Sequence, residues 1–361
     1  MNANIRLQKR FFGAKERTIL ESDELTASLF RFDTGIEAVR LQNGRGHLVV
    51  LPYMGQMIWD AVMDGVDLTM KNMFPEPRAA ATIVETYGCF AFHSGLLRNG
   101  CPSPEDTHPL HGEMPCAAMD TAELVIGEDT AGPFMALTGS REYAMGFGSR
   151  YLARPLVRLR PGSTLFEIEM DVANLAGEPM ELMYMCHMNF AYAEGATIHQ
   201  PARFTPEDTV TRTAVPGHVV ASREYLEFIS ALAADPSRMK TLSETARYNP
   251  EQVCYVKNLR TDGQGRTHLM LRRAEGDGFY TAYAPAQFPH TVRWVLCNPD
   301  QQVAAFALPS TCEPEGYLAE KAKGHVRLIP AKGQASFTVT AGYVDAARAG
   351  EVADLIASLT M

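Results

Sequence analysis

The sequence predicts an all-β protein, a large antiparallel β-sandwich with a small helical insertion and a C-terminal helix. Three observations carry that expectation. Most of the 361 residues fall into short extended segments separated by turn formers. Several of these segments alternate apolar and polar residues with the period of a strand. Helical periodicity is confined to two places.

The segment GRGHLVVLPYMGQMIWDAVMDGVDLT predicts strands at 47–52 and 55–62, with Asp64-Gly65 as a hairpin turn. Residues 92–117 read as a long irregular loop dense in His93, Arg98, Asn99, His108 and His111. Arg160-Pro161-Gly162-Ser163 is a turn. Beyond it, LFEIEMDVAN (165–174) sets Glu167, Glu169 and Asp171 between apolar residues, as in a strand with one wet face. MYMCHMNFAY (183–192) predicts a strand with Tyr184, Cys186, Met188, Phe190 and Tyr192 on a core face, and with His187 and Asn189 together on the other. A helix is expected over 222–235, capped by Ser222 and stopped by Pro236, with a second helical stretch over 237–247. QVAAFAL (302–308) and the residues either side of Pro330 to Gly333 read as strands. DAARAGEVADLIASL (345–359) reads as an amphipathic helix with Val352, Leu355, Ile356 and Leu359 on one side. No repeat or linker divides the chain, so one domain over 1–361 is the expectation.

Bulk properties exclude several function classes. A net charge of −9 and a pI near 5.6 argue against nucleic acid as a partner, which calls for a basic footprint. No apolar run reaches the roughly 18 residues of a membrane span. The N-terminal residues have no apolar core or cleavage site of a secretory leader. Seven scattered cysteines without CxxC spacing suit a reduced, cytoplasmic protein. Exposed sheet edges make a homodimer conceivable.

No P-loop, Rossmann glycine fingerprint, GxSxG elbow or HExxH occurs. Three polar clusters remain. His108 and His111 have a spacing that suits zinc on a helix, but Pro109 and Gly112 oppose a helix there, so hydrogen bonding to a polar ligand fits better. No metal ligand set is assigned. His187 and Asn189 form the second cluster; alone, the histidine reads as a core residue bonded to a neighbouring strand, or as the floor of a cleft. The third is PSTCEPEG (309–316), where Glu313 and Glu315 follow the end of a strand. Asp262, in the turn TDGQG, reads as a turn residue.

In order and spacing these positions resemble the galactose mutarotase-like superfamily, the aldose 1-epimerases. The likeness is nearest to a branch carrying a GLL-type segment, here Gly95-Leu96-Leu97-Arg98-Asn99-Gly100-Cys101, followed by Leu110-His111-Gly112. It also takes in the strand histidine, Phe288-Pro289 with Trp294, and Glu313-Pro314. It extends over roughly residues 25 to 345. The resemblance implies a β-sandwich with a sugar held on a sheet face. It implies His187 as general acid and Glu313 as general base, with Arg98, His111 and Trp294 lining the sugar site. Asn99 and Asn189 are further candidates for sugar contact. The chain departs from the better-known galactose enzymes in reading CHMNFAY around the histidine and Arg-Asn-Gly-Cys in the N-terminal segment, so the sugar itself stays open. Glu315, two residues on, is a second candidate for the base.

The residue types suit that chemistry. Anomer exchange removes a proton from the C1 hydroxyl while the ring oxygen is protonated, and closure reverses both transfers. A glutamate and a histidinium perform these roles without metal or organic cofactor. A noncatalytic sugar-binding or sensing protein on the same sandwich is the alternative. Lyase or glycosidase chemistry ranks last, because hydrolysis usually employs two carboxylates and only one has a motif behind it.

Overall fold

The computed structural model describes residues 3–22, 24–215, 220–243 and 245–360. Two large antiparallel sheets, of nine and thirteen strands, enclose one apolar core. The nine-stranded sheet runs from the edge strand Ala3–Arg6, through Leu165–Asn174 and Gln334–Val344, to the edge strand Thr197–His199. The alternation in Leu165–Asn174 takes effect as expected. Phe166, Ile168, Met170 and Val172 are buried, while Arg158 holds Glu167 and Glu169 on the wet face at 2.5 and 2.8 Å.

The thirteen-stranded sheet carries the strands of interest side by side: Gln252–Val256, His290–Cys297, Gln302–Ser310, Met180–Met188 and Ala91–Leu96. Hairpins then lead outward from Ile58–Met63 to Arg17–Glu21. At the predicted turn, Asp64 and Gly65 both have positive φ, 51° and 76°, the paired left-handed conformations that match strand twist. Strand Met180–Met188 sends Tyr184 inward onto Phe337, with ring centroids 4.9 Å apart. Phe190 likewise stacks on Phe279 at 5.4 Å. Continuous pairing stops at Met188, short of the predicted Tyr192, and only isolated bridges at Phe190 and Ala191 extend it. The expected irregular loop at 92–117 also begins later, because residues up to Leu96 complete a strand paired with Met183–Met188.

The first helix spans Arg223–Ala234, and Ser222 Oγ accepts from Tyr225 N–H at 3.1 Å. The second predicted helical stretch is instead two short 3₁₀ turns, Pro236–Met239 and Thr245–Arg247. Backbone bonds tie Lys240 to Ile198, and Leu242 to Gly195 and Ala196, drawing the intervening chain into extended form. Glu244, within that stretch, lies outside the described residues. The C-terminal helix spans Ala346–Thr360 and buries Val352 and Ile356 against Met270, Tyr280 and Ala282 of the nine-stranded sheet. Leu355, expected on that apolar side, points to solvent. No helix among the described residues is long and apolar enough to cross a membrane.

Since Tyr184, Cys186 and Met188 face the core between the sheets, His187 faces outward. That outer face is nonetheless covered. Loops around 68–90, 97–118 and 309–325 fold over it, and His187 is only 3% exposed.

Candidate active site

Cross-strand register sets the rows of side chains on the covered face. Phe92 lies directly opposite His187, and their rings stack at 4.5 Å with 14° between planes. Three more rings meet the imidazole edge-on: His111 at 4.9 Å, Trp294 at 5.9 Å and Tyr87 at 6.1 Å. The Tyr87 hydroxyl is 3.3 Å from His187 Nε2. Burial drives the His187 pKa well below the ordinary histidine value, and the neighbouring His111 adds to the fall, while Asn189 opposes it. His111 itself is pushed down to about 4 by burial, with a contribution from His108. Both rings therefore rest neutral near pH 7.

Trp294 pairs with Val253, and Arg212 N–H bonds to Val253 O at 2.8 Å, so Arg212, Val253 and Trp294 share this face. Glu251, two residues before Val253, accepts from Trp294 Nε1 at 2.9 Å. Arg212 reaches Glu251 at 4.0 Å and grips Glu315 with two nitrogens at 2.7 and 3.0 Å. The Tyr255 hydroxyl donates to the same Glu315 carboxylate. Burial alone would raise Glu315, but the bonds from Arg212 and Tyr255 outweigh it and hold the carboxyl below its ordinary value. Cys101 adjoins this group, its thiol raised to about 11 by burial and by Glu251.

One row further along, Met185, Ser310 and His290 lie opposite one another across three strands. That row is two residues from His187, about 7 Å along the strand. Glu313 extends to this row. Its carboxylate pairs with Lys323 at 2.7 Å and lies 3.9 Å from Lys257, and the residue is 6% exposed. His290 is lowered to about 4, chiefly by burial and then by His325.

Glycines allow close backbone approach between two of the covering loops, 97–118 and 309–325, and within the first of them. At Gly100 (φ 80°) an added Cβ would stand 2.5 Å from Pro314 Cα. Within the first loop, a Cβ at Gly112 (φ 78°) would run into Arg98 O. Cys101 N–H donates to Pro314 O at 2.9 Å, stitching the first loop to the second.

The sequence-predicted residues are distributed unevenly over this frame. His111 and Trp294 meet His187 ring to ring, and Glu313 reaches His290 in the adjoining row from the loop beyond Ser310. Asn189 is fully buried behind His187 and donates to Cys89 O at 3.0 Å. Asn99 is also fully buried; it accepts from Ser94 Oγ and donates to Cys312 Sγ at 3.4 Å, joining the covering loops. The structure does not bring Arg98 to His187. Its guanidinium stacks on Tyr317 at 3.6 Å and lies 3.8 Å from Glu181, six residues before His187 and about 20 Å along the strand. His93 faces the inner core and bonds Tyr184 OH at 2.9 Å. His108 bonds the carbonyl of its neighbour Pro109. Phe288 packs on Phe337 in the core, so only Trp294 of that motif reaches the covered face. Asp262 closes its own turn and contacts His268 at 3.0 Å.

Sequence reasoning missed Tyr87, Glu251, Arg212 and Tyr255. The odd-numbered alternation of Glu251, Val253 and Tyr255 was the available signal, once a strand there is placed beside Trp294. A separate hollow of about 360 Å³ opens on the same sheet face beside Trp59, Arg40, Asp60 and Asn72. None of the predicted site residues lines it.

The model of the DUF4432 family, described as a domain of unknown function, matches residues 33–342. The chain belongs to that family. Among curated protein sequences none matches it. Solved structures resemble this DUF4432 chain at low identity. One is a "putative aldose 1-epimerase" from Klebsiella pneumoniae, 16% identical, with TM-score 0.84 over 100% of this chain and 96% of that one. A galactose mutarotase-like protein from Clostridium acetobutylicum is 10% identical, with TM-score 0.59 over 90% and 100% of the two chains. A galactose 1-epimerase from Lactobacillus acidophilus is 12% identical, with TM-score 0.52 over 95% and 98%. Likeness at these identities is one of fold: the DUF4432 chain has the galactose mutarotase-like fold.

Proposed function

We propose that the protein interconverts the α and β anomers of a sugar on the covered face, with His187 as general acid and Glu313 as general base. One observation carries the reading. His187 and Glu313 are 126 positions apart (313 − 187), yet the loop carrying Glu313 brings its carboxylate to His290, whose row on the sheet adjoins that of His187, with Trp294 beside the imidazole. The epimerase names of similarly folded proteins support the same chemistry.

In this reading the sugar lies against Trp294 and Tyr255, whose rings offer the apolar platform that pyranose C–H faces favour. Glu313 takes the C1 hydroxyl proton while His187 delivers one to the ring oxygen. The C1–C2 bond then rotates in the open form, and ring closure runs the transfers in reverse. Tyr87, at hydrogen-bond reach of His187 Nε2, occupies the position that a sugar oxygen takes when it displaces the hydroxyl. Glu315 is held by Arg212 and Tyr255 together, whereas Glu313 is held by the partly exposed Lys323 at 2.7 Å. In this reading Glu313 is therefore the carboxylate of loop 309–316 that exchanges protons once Lys323 swings out.

The test is saturation-transfer NMR between anomeric protons over a panel of aldoses, uronates and deoxysugars. His187→Asn and Glu313→Gln should each slow catalysed exchange by about a hundredfold or more. Unchanged exchange in both variants would overturn the assignment. Saturable sugar binding without any acceleration would favour a sugar-binding protein, a reading that the ion pair already formed between Glu313 and Lys323 also accommodates.

A further inference from the structure

Loop 309–325 brings His325 to His290 and Glu313, a group of which the anomer chemistry uses only Glu313. Gly316 (φ 88°) opens the short helix Tyr317–Ala322, and Gly324 (φ 75°) turns the chain back beyond it. His325 N–H bonds to Glu320 O at 2.9 Å, closing that turn. The fold-back sets the His325 ring 4.2 Å from that of His290. One ring nitrogen of each histidine and one Glu313 oxygen then lie within 4.8 Å of one another. Among the described residues this is the one trio of histidine, cysteine and carboxylate side chains found in such an arrangement.

We infer that His290, Glu313 and His325 form a binding site for a divalent first-row transition ion of the zinc class. Two imidazoles and one carboxylate are a donor set that suits such ions, and three protein ligands leave a fourth position open. Ligand atoms around tetrahedral zinc stand about 3.4 Å apart, given bonds of about 2.0–2.1 Å, so closure needs side-chain shifts of only about 1 Å.

The surroundings match that use in two independent ways. His325 Nδ1 lies 2.7 Å from Glu320 Oε2, a carboxylate with no solvent exposure. A carboxylate partner of this kind fixes a histidine's tautomer and leaves Nε2 as the lone-pair donor. In addition, a cation already occupies this corner. The Lys323 ammonium bridges Glu313 at 2.7 Å and Glu320 at 2.8 Å, on a side chain that is 37% exposed and able to swing out. An ion bound by the trio would displace that ammonium from Glu313.

The site does not rest on the anomer-exchange reading, but it shares Glu313 with it, so an ion held there would withdraw the base. Binding is measurable without any activity. Isothermal titration of the full chain with Zn²⁺ should show one saturable site. Co²⁺ should give visible d–d bands without the sulfur charge-transfer band that a cysteine site produces. His290→Ala and His325→Ala should each weaken Zn²⁺ by more than about tenfold, with thermal melts verifying their fold. Lys323→Ala should tighten it, because the competing ammonium is gone, and this gain cannot arise from misfolding. Absence of saturable uptake in both the wild type and Lys323→Ala would overturn the inference. Uptake unchanged in both histidine variants would overturn it equally.

Discussion

His187 lies flat against Phe92, ring on ring at 4.5 Å, and this contact helps keep water from the imidazole. Phe92 is 2% exposed and packs with Tyr87 as well, so it controls desolvation at the proposed acid. Phe92→Leu should open the site, raise the His187 pKa toward 6.5 and cost about 1 kcal/mol of stability. NMR titration of the imidazole C–H resonances and urea unfolding measure the two effects. An unmoved His187 titration would show that Phe92 is not what excludes water.

The low His187 pKa also sets where catalysis should run. The acid must carry a proton, and burial makes that proton easy to lose in the empty site. The alkaline limb of kcat/KM for anomer exchange, which reports the free protein, should therefore fall below pH 6.5. A limb above pH 7 would count against histidine as the acid.

Three histidines buried neutral make a separate prediction about folding. His93 is lowered to about 3 and His111 to about 4, both chiefly by burial, and His187 is lowered as well. Their folded pKa values lie below the unfolded value near 6.5, so the unfolded chain takes up protons first as pH falls. Stability is full above about pH 6.5 and is lost between there and about pH 4, by up to about 1.4 kcal/mol per pH unit for each histidine. Denaturant unfolding at pH 7.5, 6 and 5 checks the slope. His93→Gln, on the inner face, should reduce that slope by one proton.

Arg212 joins two carboxylates that belong to different segments. Removing it in Arg212→Met leaves Glu315 without its cation in a partly buried place, and should cost about 3 kcal/mol. Glu315→Leu in the same background should restore much of that loss. A double-mutant cycle by chemical denaturation measures the coupling, expected near 2 kcal/mol. A coupling near zero would mean that the pair is solvated and carries no structural weight.

Gly100 carries the approach of the first covering loop to the second. Gly100→Ala places a Cβ against Pro314 at a φ of 80°, which should displace loop 309–316, cost more than about 2 kcal/mol and weaken sugar exchange. Gly177→Ala has open space around its Cβ and serves as the control. Equal melting temperatures for the two variants would contradict the proposed loop contact.

Much of the frame was legible because its causes are local. Alternation in residues 165–174, the Asp64-Gly65 turn and the Ser222 cap each follow from a few neighbouring residues, and the structure has all three. The outward direction of His187 followed from the same two-residue period. Elements failed where distant pairing intervened: residues 237–247 lose their helix to backbone bonds with Gly195, Ala196 and Ile198.

For the site, the sequence by itself determined which residue types are available and that His187 and Asn189 share a face. Its motif order also pointed to the galactose mutarotase-like fold, which the structure has. Only the tertiary structure decided which of them meet. Cross-strand register placed Trp294 beside His187 and Glu251, and put His290 in the row of Met185. The fold-back at Gly324 brought His325 to Glu313, twelve residues upstream (325 − 313). Arg98 was drawn instead to Tyr317 and Glu181. The physical reason is that a strand's period specifies the side of the sheet on which a residue stands. Its neighbours across the sheet depend on registers and loop closures that no local pattern encodes.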